Sequence, residues 1–292
     1  MTGDFVDFAR AHGLILDHAE PDGRWRRYKT VDKPRKKNGA AVFDGRGGAV
    51  RNYATMLDFA TWRDGSFEKV PMRDYREMRR KAAAEEAERH AKAAQEAARI
   101  VKAATLITPS PAVKGRPGRV GSPAVLAHPY LIRKSLPTAL CLVHEGFLIV
   151  PMRVDGEHRR ELVNVQRISP EGEKRFLTGG RAKGATHYIG PERAREVWLC
   201  EGLATGLSLL QALKGMYRDA AVVICFSAGN LKYRGATHVM ADNDASGAGQ
   251  EAANATGLPW VMPPEVGMDA NDLYARDGLG ALQKLVRSVG TQ

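Results

Sequence analysis

Short apolar segments alternate with helix-like segments over the last hundred residues of the chain, and this alternation constrains the fold more than any other feature. Strand candidates span 196–200, 220–226, 238–241 and 258–262, and helix candidates span 204–213 and 249–255. Strands that alternate with helices form parallel or mostly parallel α/β sheets. In such sheets, ligands bind beyond the carboxyl ends of the strands. The residues that follow each strand are therefore the first candidates for a functional site.

Acidic side chains follow three of these strand candidates. Glu201 follows the first, Asp242 and Asp244 follow the third, and Asp269 and Asp272 follow the last. Carboxylates that meet at one edge of a sheet raise each other's pKa unless a cation neutralises them. Mg²⁺ suits such a group because it binds a few carboxylates together with water and substrate phosphates, and Mn²⁺ is the alternative. The sequence predicts a metal site from these five residues and does not choose between Asp269 and Asp272.

Each acid also has a purely structural explanation. A lone Glu-Gly or Asp-x-Asp is a weak signal, because carboxylates at strand ends often cap the next helix. Their joint placement after successive strands favours the metal site. Gly202 and Gly247 would let a metal or phosphate approach the backbone. Asn230, in the AGNL turn, either lines the site or serves as a turn residue, and the turn is favoured.

Two of these motifs resemble the Toprim fold. Glu201-Gly202 is similar to its glutamate motif, and the ADNDASG segment at 241–247 is similar to its DxD motif. The fold is the catalytic module of DnaG-type primases, type IA and type II topoisomerases, OLD-family nucleases and some ribonucleases. The resemblance implies that Glu201 acts in acid/base chemistry or as a metal ligand, and that Asp242 and Asp244 bind Mg²⁺. It covers the C-terminal third of the chain.

Longer segments resemble the Toprim primases of phages, plasmids and integrative elements, including TraC-type primases and the amino halves of primase-helicases. They are HPYLIRKSL (128–136), FLIVPMRVDGE (147–157), LVNVQRISPEGEKRFLTGGRAKG (162–184), CEGLATGLSL (200–209), FSAGNL (226–231) and DANDLYARDG (269–278). The opening, with FARAHGLILD, RWRR and DKPRKKNG, resembles the leader of that group. The resemblance implies a DNA primase, a nucleotidyltransferase that makes short primers on single-stranded DNA from nucleoside triphosphates during phage or mobile-element replication.

Two departures from the group's pattern qualify this expectation. No zinc-binding Cys or His set precedes the catalytic part, which puts template recognition by a zinc ribbon in doubt. No Walker A sequence occurs, which suggests a separately encoded replicative helicase as a further partner.

Basic residues reinforce the expectation of a polyanionic partner. The 292 residues include 44 Lys and Arg against 33 Asp and Glu, a net charge of +11. The stretch 24–37 has one acid, Asp32, and mixes cations with aromatic rings, as expected of a surface that grips phosphates and stacks a base. We assign single-stranded DNA binding to Arg24, Trp25, Arg26, Arg27, Lys33, Arg35, Lys36 and Lys37. A solvated basic hairpin is the open alternative.

A second basic run lies in and before the glycine-rich KRFLTGGRAKG segment. Its cations are assigned to the triphosphate or the template, with ordinary surface charge as the alternative. They are Arg167, Lys174, Arg175, Arg181 and Lys183.

Composition divides the chain into four parts. These are a basic N-terminal α+β module (1–75), a helical connector and linker (76–123), a basic lead-in subdomain (124–190) and the Toprim catalytic domain (191–292). The Ala-, Glu- and Lys-rich stretch 77–104 predicts one long helix. It lacks an apolar stripe before Ile100 and Val101, so we expect it to bridge folded units in solvent. The Pro-, Gly- and Ser-rich stretch 108–123 predicts a linker.

The expected fold class is therefore α/β. A Toprim-type, mostly parallel sheet flanked by helices is preceded by a small basic α+β subdomain, with a separate small N-terminal α+β module and a long connecting helix. The sequence has no signal-like or membrane-spanning apolar run, which favours a cytoplasmic protein without a membrane partner. Cys141, Cys200 and Cys225 lie far apart, which disfavours both a disulfide framework and a zinc ribbon.

Three rival functions remain. A Toprim nuclease could use the same metal to activate water. A topoisomerase is less favoured, because no tyrosine-bearing cleavage domain can be identified. A non-catalytic single-stranded-DNA-binding or replisome-loading factor is disfavoured by the retention of Glu201 with Asp242 and Asp244.

Overall fold

The structure is a computed structural model that describes residues 4–56, 58–64, 72–107, 128–136, 139–155 and 160–289, without the side chains of 72–79. It divides into two compact units, Met1–Glu88 and Arg89–Gln292. The linker predicted at 108–123 lies outside the described residues. The four-part division of the sequence stays a prediction.

The first unit contains a short helix and an antiparallel sheet. Its elements are α1 (Phe5–Ala11), β1 (Leu14–Ile15), β2 (Arg26–Thr30), β3 (Gly39–Phe43), β4 (Gly47–Asn52) and β5 (Ala60–Arg63). The strands pair in chain order and are antiparallel throughout. Phe5 and Ala9 of α1 belong to one apolar cluster with Ala41 and Val50, so α1 covers one face of the sheet.

The long helix α2 spans Met72–Ala103, as its composition predicts. The expectation that it bridges units in solvent is wrong for its last turns. Ala93, Ala97 and Ile100 are buried, and the last two cluster with Ile149 and Val165. These positions lie four and three residues apart, so they form one stripe on the helix. The stripe was missed because alanine contributes little to an apolar pattern, although its small size lets a helix approach a sheet closely.

The second unit begins with an antiparallel sheet. Its elements are β6 (Thr105–Ile107), α3 (Pro129–Arg133), β7 (Cys141–His144), β8 (Phe147–Asp155), β9 (Arg160–Ile168) and β10 (Lys174–Phe176). The strand order is β10-β9-β8-β7-β6, with every pair antiparallel.

A third sheet carries the acidic segments. Its elements are β11 (His187–Ile189), β12 (Glu196–Cys200), α4 (Leu203–Gly215), β13 (Ala220–Ile224), β14 (His238–Met240), α5 (Ala248–Thr256), β15 (Trp260–Val261) and α6 (Ala270–Arg287). The order is β11-β13-β12-β14-β15. Strand β12 pairs in parallel with β13 and β14, β14 pairs in parallel with β15, and the edge strand β11 is antiparallel.

The described chain is therefore a mixed α/β protein in which two of three sheets are antiparallel throughout. The α/β class is confirmed. Helix α6, kinked at Gly278, was not predicted from the sequence.

Both faces of the third sheet are covered. Trp198 and Met240 pack on one face with residues of α4 and α6, including Leu209 and Leu282. The opposite face packs Val239 and its neighbours against α5. Burial on both sides explains the continuous apolar run of β13. Within the described helices, none is long and apolar enough to cross a membrane. The three cysteines are buried and unpaired.

Candidate active site

The acidic segments follow neighbouring strands of the third sheet. Glu201 directly follows β12, and Asp242 lies two residues beyond β14, its parallel neighbour. Asp269 immediately precedes α6, and its segment is tied to the Asp242 loop by backbone pairing of Asn243 with Met268, whose N···O distance is 3.0 Å. The fold therefore brings three separate stretches of sequence to one edge of the sheet.

Asp242 is the most perturbed carboxyl group of this edge. Burial raises its pKa to about 7, and the charges of Asp269 and Glu201 act in the same direction, while Lys174 opposes them. Its Oδ1 is buried, and no group among the described residues forms a hydrogen bond with it. A buried carboxylate oxygen left unpaired is costly, so the site favours either a proton or a cation there.

Glu201 is also held away from water. Burial raises its pKa, and the nearby charge of Asp244 adds to this, whereas the backbone N–H of Ala228 and the charge of Lys174 lower it. Its backbone oxygen accepts a hydrogen bond from the N–H of Phe226, at 2.9 Å. Phe226 has a φ of 67°, an uncommon conformation for a non-glycine residue. The turn after β13 thus fixes the backbone at Glu201.

Asp244 has the structural role that a carboxylate at a strand end often has. Burial acts to raise its pKa, but hydrogen bonds from Ser246, Gly249 and Ala248 outweigh it and lower the pKa. Its Oδ2 accepts from the N–H of Gly249 at 2.9 Å, and its Oδ1 accepts from the N–H of Ala248 at 3.3 Å. Asp244 therefore stays ionised while it caps α5.

The two acids that the sequence left open have different surroundings. Asp269 caps α6: its Oδ1 accepts from the N–H of Asp272, and Asp272 Oδ2 accepts in return from the N–H of Asp269, at 2.9 and 3.2 Å. Asp272 also pairs with Lys134 at 3.2 Å. Of Asp269 and Asp272, Asp269 is the one whose charge contributes to the raised pKa of Asp242. The structure therefore favours Asp269 as the third acid near the Asp242 loop.

Lys174, from β10 of the second sheet, joins the acidic edge. Its charge lowers the pKa of both Glu201 and Asp242. Its Nζ lies 4.0 Å from the point that a Cβ on Gly202 would occupy. Of the five cations assigned from sequence to triphosphate or template, this is the one whose charge acts on these carboxyl groups.

The other four cations of that group lie in different surroundings. Arg167 stacks over Phe147 at 4.2 Å and lies 3.9 Å from a carboxylate oxygen of Glu145. Arg175 pairs with Glu173 at 2.7 Å. Neighbouring strand residues point to opposite faces, so Arg175 points away from the face that carries Lys174. Two further cations are exposed in the loop after β10, namely Arg181 and Lys183.

Asn230 is a turn residue with a long reach. Its Oδ1 accepts from the N–H of Gly184 at 2.7 Å, and its Nδ2 donates to the carbonyl oxygens of Ala185 and Cys225, both at 2.8 Å. These bonds join the loop of Lys183 to the end of β13. Asn230 thus holds the loop of Lys183 in position.

Gly249 and Asn271 were missed by the sequence analysis. A Cβ on Gly249 would lie 2.1 Å from the carbonyl oxygen of Asp242, so only glycine lets α5 approach the Asp242 loop this closely. Asn271 is fully buried and donates to Lys134 O and Ser208 Oγ at 2.8 and 2.9 Å, which anchors the start of α6. A glycine in the first turn of a predicted helix was the available signal for Gly249.

The oxygen donors at this edge are of the type that a hard divalent cation binds. Within the described part of the chain, no group of three or more His, Cys, Asp or Glu side chains is placed to hold a metal ion. Mg²⁺ needs only one or two carboxylates when water and substrate phosphates supply the other oxygens. The unpartnered Oδ1 of Asp242, beside the charges of Glu201, Asp244 and Asp269, provides such a partial set.

The basic residues of the first unit differ in how far acids neutralise them. Arg26 forms two hydrogen bonds of 2.7 Å with Asp22, which hold the pKa of Asp22 at about 2. Arg24 pairs with Glu85 and lies 3.8 Å from Asp22. Arg27 stacks over Tyr53 at 4.4 Å. Trp25 is 52% exposed. The remaining predicted contacts lie in the exposed turn between β2 and β3, namely Lys33, Arg35, Lys36 and Lys37.

Solved structures that contain primase domains are among those similar to this chain. No protein family model matches the chain. The structure of the bacteriophage T7 lagging-strand DNA polymerase, interacting with primase domains of two gp4 subunits bound to an RNA/DNA hybrid and dTTP, matches with 13% identity and a TM-score of 0.37, over 52% of this chain and 83% of that chain. The RNA polymerase domain of Mycobacterium tuberculosis primase DnaG matches with 18% identity and a TM-score of 0.33, over 49% of this chain and 55% of that chain.

Proposed function

We propose that the protein is a DNA primase of the Toprim type, with the catalytic core typical of phage and plasmid primases, that joins nucleoside triphosphates into short primers on single-stranded DNA. The observation that carries the proposal is Asp242. Its buried Oδ1 has no hydrogen-bond partner within the described part of the chain, and its pKa is raised to about 7 by burial and by the charges of Asp269 and Glu201. A group of carboxylates in this state is suited to a divalent cation that also binds phosphates.

Asp242 and Asp244 would hold Mg²⁺ or Mn²⁺, with Glu201 and Asp269 beside them. When bound, the cation would offset negative charge on the phosphates of the incoming nucleotide. The chain itself would supply positioning, which is the larger part of what phosphoryl transfer requires.

Two residues beside the aspartates have distinct proposed roles. Lys174 binds the triphosphate of the incoming nucleotide. Its charge already acts on Glu201 and Asp242, beside which the triphosphate would lie. Glu201 accepts the proton of the primer 3′-hydroxyl at its carboxylate, and its raised pKa makes it a better base near neutral pH. The loop held by Asn230 presents Arg181 and Lys183 to the template or the triphosphate.

The first unit is proposed to hold the single-stranded template. The exposed turn between β2 and β3 carries Lys33, Arg35, Lys36 and Lys37, which would contact phosphates. A separate replicative helicase is proposed as the partner that supplies unwound DNA during phage or mobile-element replication.

Labelled-nucleotide incorporation on single-stranded DNA tests the proposal. The intact protein with Mg²⁺ or Mn²⁺ is compared with Asp242→Ala plus Asp244→Ala. A matched control, Glu192→Ala plus Asp219→Ala, removes the same charge near the opposite edge of the third sheet, where β12 and β13 begin. We expect template-dependent oligonucleotides from the intact protein and the control only.

Two results would reject the primase assignment. Metal-dependent strand cleavage without synthesis, lost in the Asp242 and Asp244 variant, would identify a Toprim nuclease. Salt-sensitive DNA binding with neither activity would identify a non-catalytic replication factor.

A further inference from the structure

We propose that the sheet of the first unit binds single-stranded nucleic acid on the face opposite α1, by stacking bases on three exposed rings that lie beside two arginines. The ring row consists of Trp25, Phe59, Arg51, Tyr53 and Arg27. The proposal rests on the proposed function for the kind of polymer, single-stranded DNA. It moves the main contact from the basic run 24–37 to a surface that includes three residues outside that run.

Strand register puts the two arginines on one face. Arg27 pairs with Ala40 across β2 and β3, and Ala40 pairs with Arg51 across β3 and β4. The adjacent residues Ala41 and Val50 belong to the α1 cluster. Because neighbouring strand residues point to opposite faces, Arg27 and Arg51 lie on the face that α1 does not cover.

Rings and cations lie next to one another along this row. The guanidinium of Arg27 lies 4.4 Å from the centre of the Tyr53 ring, and that of Arg51 lies 4.9 Å from Tyr53 and 5.4 Å from Phe59. The Phe59 ring lies 4.9 Å from that of Trp25. Cations near ring faces hold the rings in place while leaving ring surface exposed.

The ring row is exposed, although the unit has an apolar core of its own. Phe5 and Phe43 stack at 4.7 Å in the α1 cluster, and Phe5 is buried. Trp25, Tyr53 and Phe59 are instead 52%, 43% and 43% exposed. Grouped exposed rings commonly mark a binding surface, whereas singly scattered ones need no explanation.

The charges of this surface indicate which kind of ligand the ring row binds. Asp22 and Glu85 engage Arg24 and Arg26, whereas Arg27 and Arg51 interact with rings. Each nucleotide of a single strand offers one flat base and one negative phosphate, which matches a row of rings and cations. A duplex hides its base faces, and an acidic peptide offers charge without flat rings.

Binding of full-length protein to two oligonucleotides of equal length, oligo-dT and its fully abasic equivalent, tests the proposal. Fluorescence anisotropy is measured in EDTA, so that no synthesis or metal-dependent cleavage intervenes. Both ligands carry the same backbone charge, so their affinity ratio reports what the bases contribute to binding. We expect the intact protein to prefer oligo-dT at least tenfold, about 1.4 kcal/mol.

Tyr53→Ala plus Phe59→Ala should strongly reduce that preference, with Trp25 as the one ring left in the row, while leaving abasic binding unchanged within about twofold. Tyr53→Phe plus Phe59→Tyr should restore it, because both rings remain. Tyr217→Ala is the matched control, since its ring is 97% exposed in the second unit. Arg27→Gln plus Arg51→Gln should weaken both ligands and lower the salt dependence of binding.

The proposal is overturned if the intact protein binds both oligonucleotides equally, or if the alanine variant retains the full preference although two of the three rings are removed. Preferential binding of an acidic peptide or of duplex DNA at this face would also overturn it. This outcome differs from failure of the primase assignment. In that case the protein would incorporate no nucleotides but would still prefer oligo-dT.

Discussion

The environment of the Asp242 side chain indicates that this site requires a ligand. Its Oδ1 is buried and accepts no hydrogen bond from the residues that the structure describes, and burial together with Asp269 and Glu201 raises its pKa to about 7. In the metal-free protein, ionisation of Asp242 therefore opposes folding. A bound cation would remove that penalty, so stability, pH and metal concentration should be linked through this residue.

Asp242→Asn tests this linkage. The folded pKa of Asp242 lies above its ordinary value of 3.8, so the folded protein binds the proton more tightly than the unfolded chain. This contribution to stability is fully present below about pH 4 and is lost as pH rises through about 7. Asparagine cannot ionise, so in EDTA at pH 8 we expect the variant to be more stable than the intact protein by about 2–4 kcal/mol.

The measurement is urea unfolding in EDTA at several pH values, repeated with Mg²⁺. The advantage of Asp242→Asn should shrink towards pH 4, and Mg²⁺ should stabilise the intact protein more than the variant. An advantage that is the same at pH 4 and pH 8 would show that Asp242 does not titrate as described.

The sequence could group some of these residues but could not rank them all. Glu201, Asp242 and Asp244 were linked because each follows a strand candidate. The choice between Asp269 and Asp272 depends on a capping box and on Lys134, which lies far away in sequence. Long-range contacts of this kind have no periodic signature in one chain.

At the scale of elements, the close approach of α5 to the Asp242 loop depends on one missing side chain. Gly249→Ala would bring a Cβ to 2.1 Å from the carbonyl oxygen of Asp242. Backbone atoms must then move apart, so we expect a loss of about 1–3 kcal/mol in the free energy of unfolding. Nucleotide incorporation and Mg²⁺ binding should both weaken, because Asp242 and Asp244 lie on that loop.

Gly280→Ala is the matched control for this substitution. Gly280 lies in α6, and a Cβ there meets no atom within 4 Å. Alanine in a helix is favoured over glycine, so urea unfolding should find this variant equal or up to about 1 kcal/mol more stable. Similar losses in both variants would contradict the proposed role of Gly249.

The alanine stripe of α2 gives a second prediction at this scale. Ala97 is fully buried and clusters with Ile149 and Val165, whereas the neighbouring Ala98 is exposed. Ala97→Leu should overpack the contact and lower stability by about 1–3 kcal/mol in urea unfolding. Ala98→Leu should change stability by less than about 0.5 kcal/mol. Equal effects would mean that the helix does not pack through this stripe.

Elements with a strong pattern were predictable, and those without one were not. Strand β12 was predicted over the same residues, 196–200, and helices α4 and α5 to within a few residues. Helix α6 was missed because glycines interrupt its pattern and its capping box uses two aspartates that also suggested a metal site. The packing of α2 was misjudged because alanine is only weakly apolar.

At the scale of the whole molecule, the candidate site depends on two sheets of the second unit. The third sheet supplies Glu201 and Asp242, and the antiparallel sheet supplies Lys174 from β10. The sequence identified both the acidic segments and the segment of Lys174 as candidate sites, but it did not predict that they lie close together. Parallel strand pairing predicts only which residues share an edge within one sheet. Contact between sheets is decided by core packing, which one sequence without an alignment does not reveal.

Lys174→Gln and Arg175→Gln test this convergence as a matched pair. The two residues are adjacent on β10, but strand alternation points them to opposite faces, and Arg175 already pairs with Glu173. If Lys174 binds the triphosphate, Lys174→Gln should raise the KM for nucleotide about tenfold in the incorporation assay, whereas Arg175→Gln should change it by less than about twofold.

A second readout separates a direct role of Lys174 from a general loss of structure. The charge of Lys174 lowers the pKa of Asp242, so removing it should raise that pKa further. In EDTA, the pH-dependent stability difference between the Lys174→Gln protein and its Asp242→Asn derivative should then extend to higher pH than in the intact background. A raised KM without this shift would mean that Lys174 meets the nucleotide away from Asp242. Equal increases in KM for Lys174→Gln and Arg175→Gln would show that nucleotide binding depends on the positive charge of β10 and not on the sheet face from which each side chain projects.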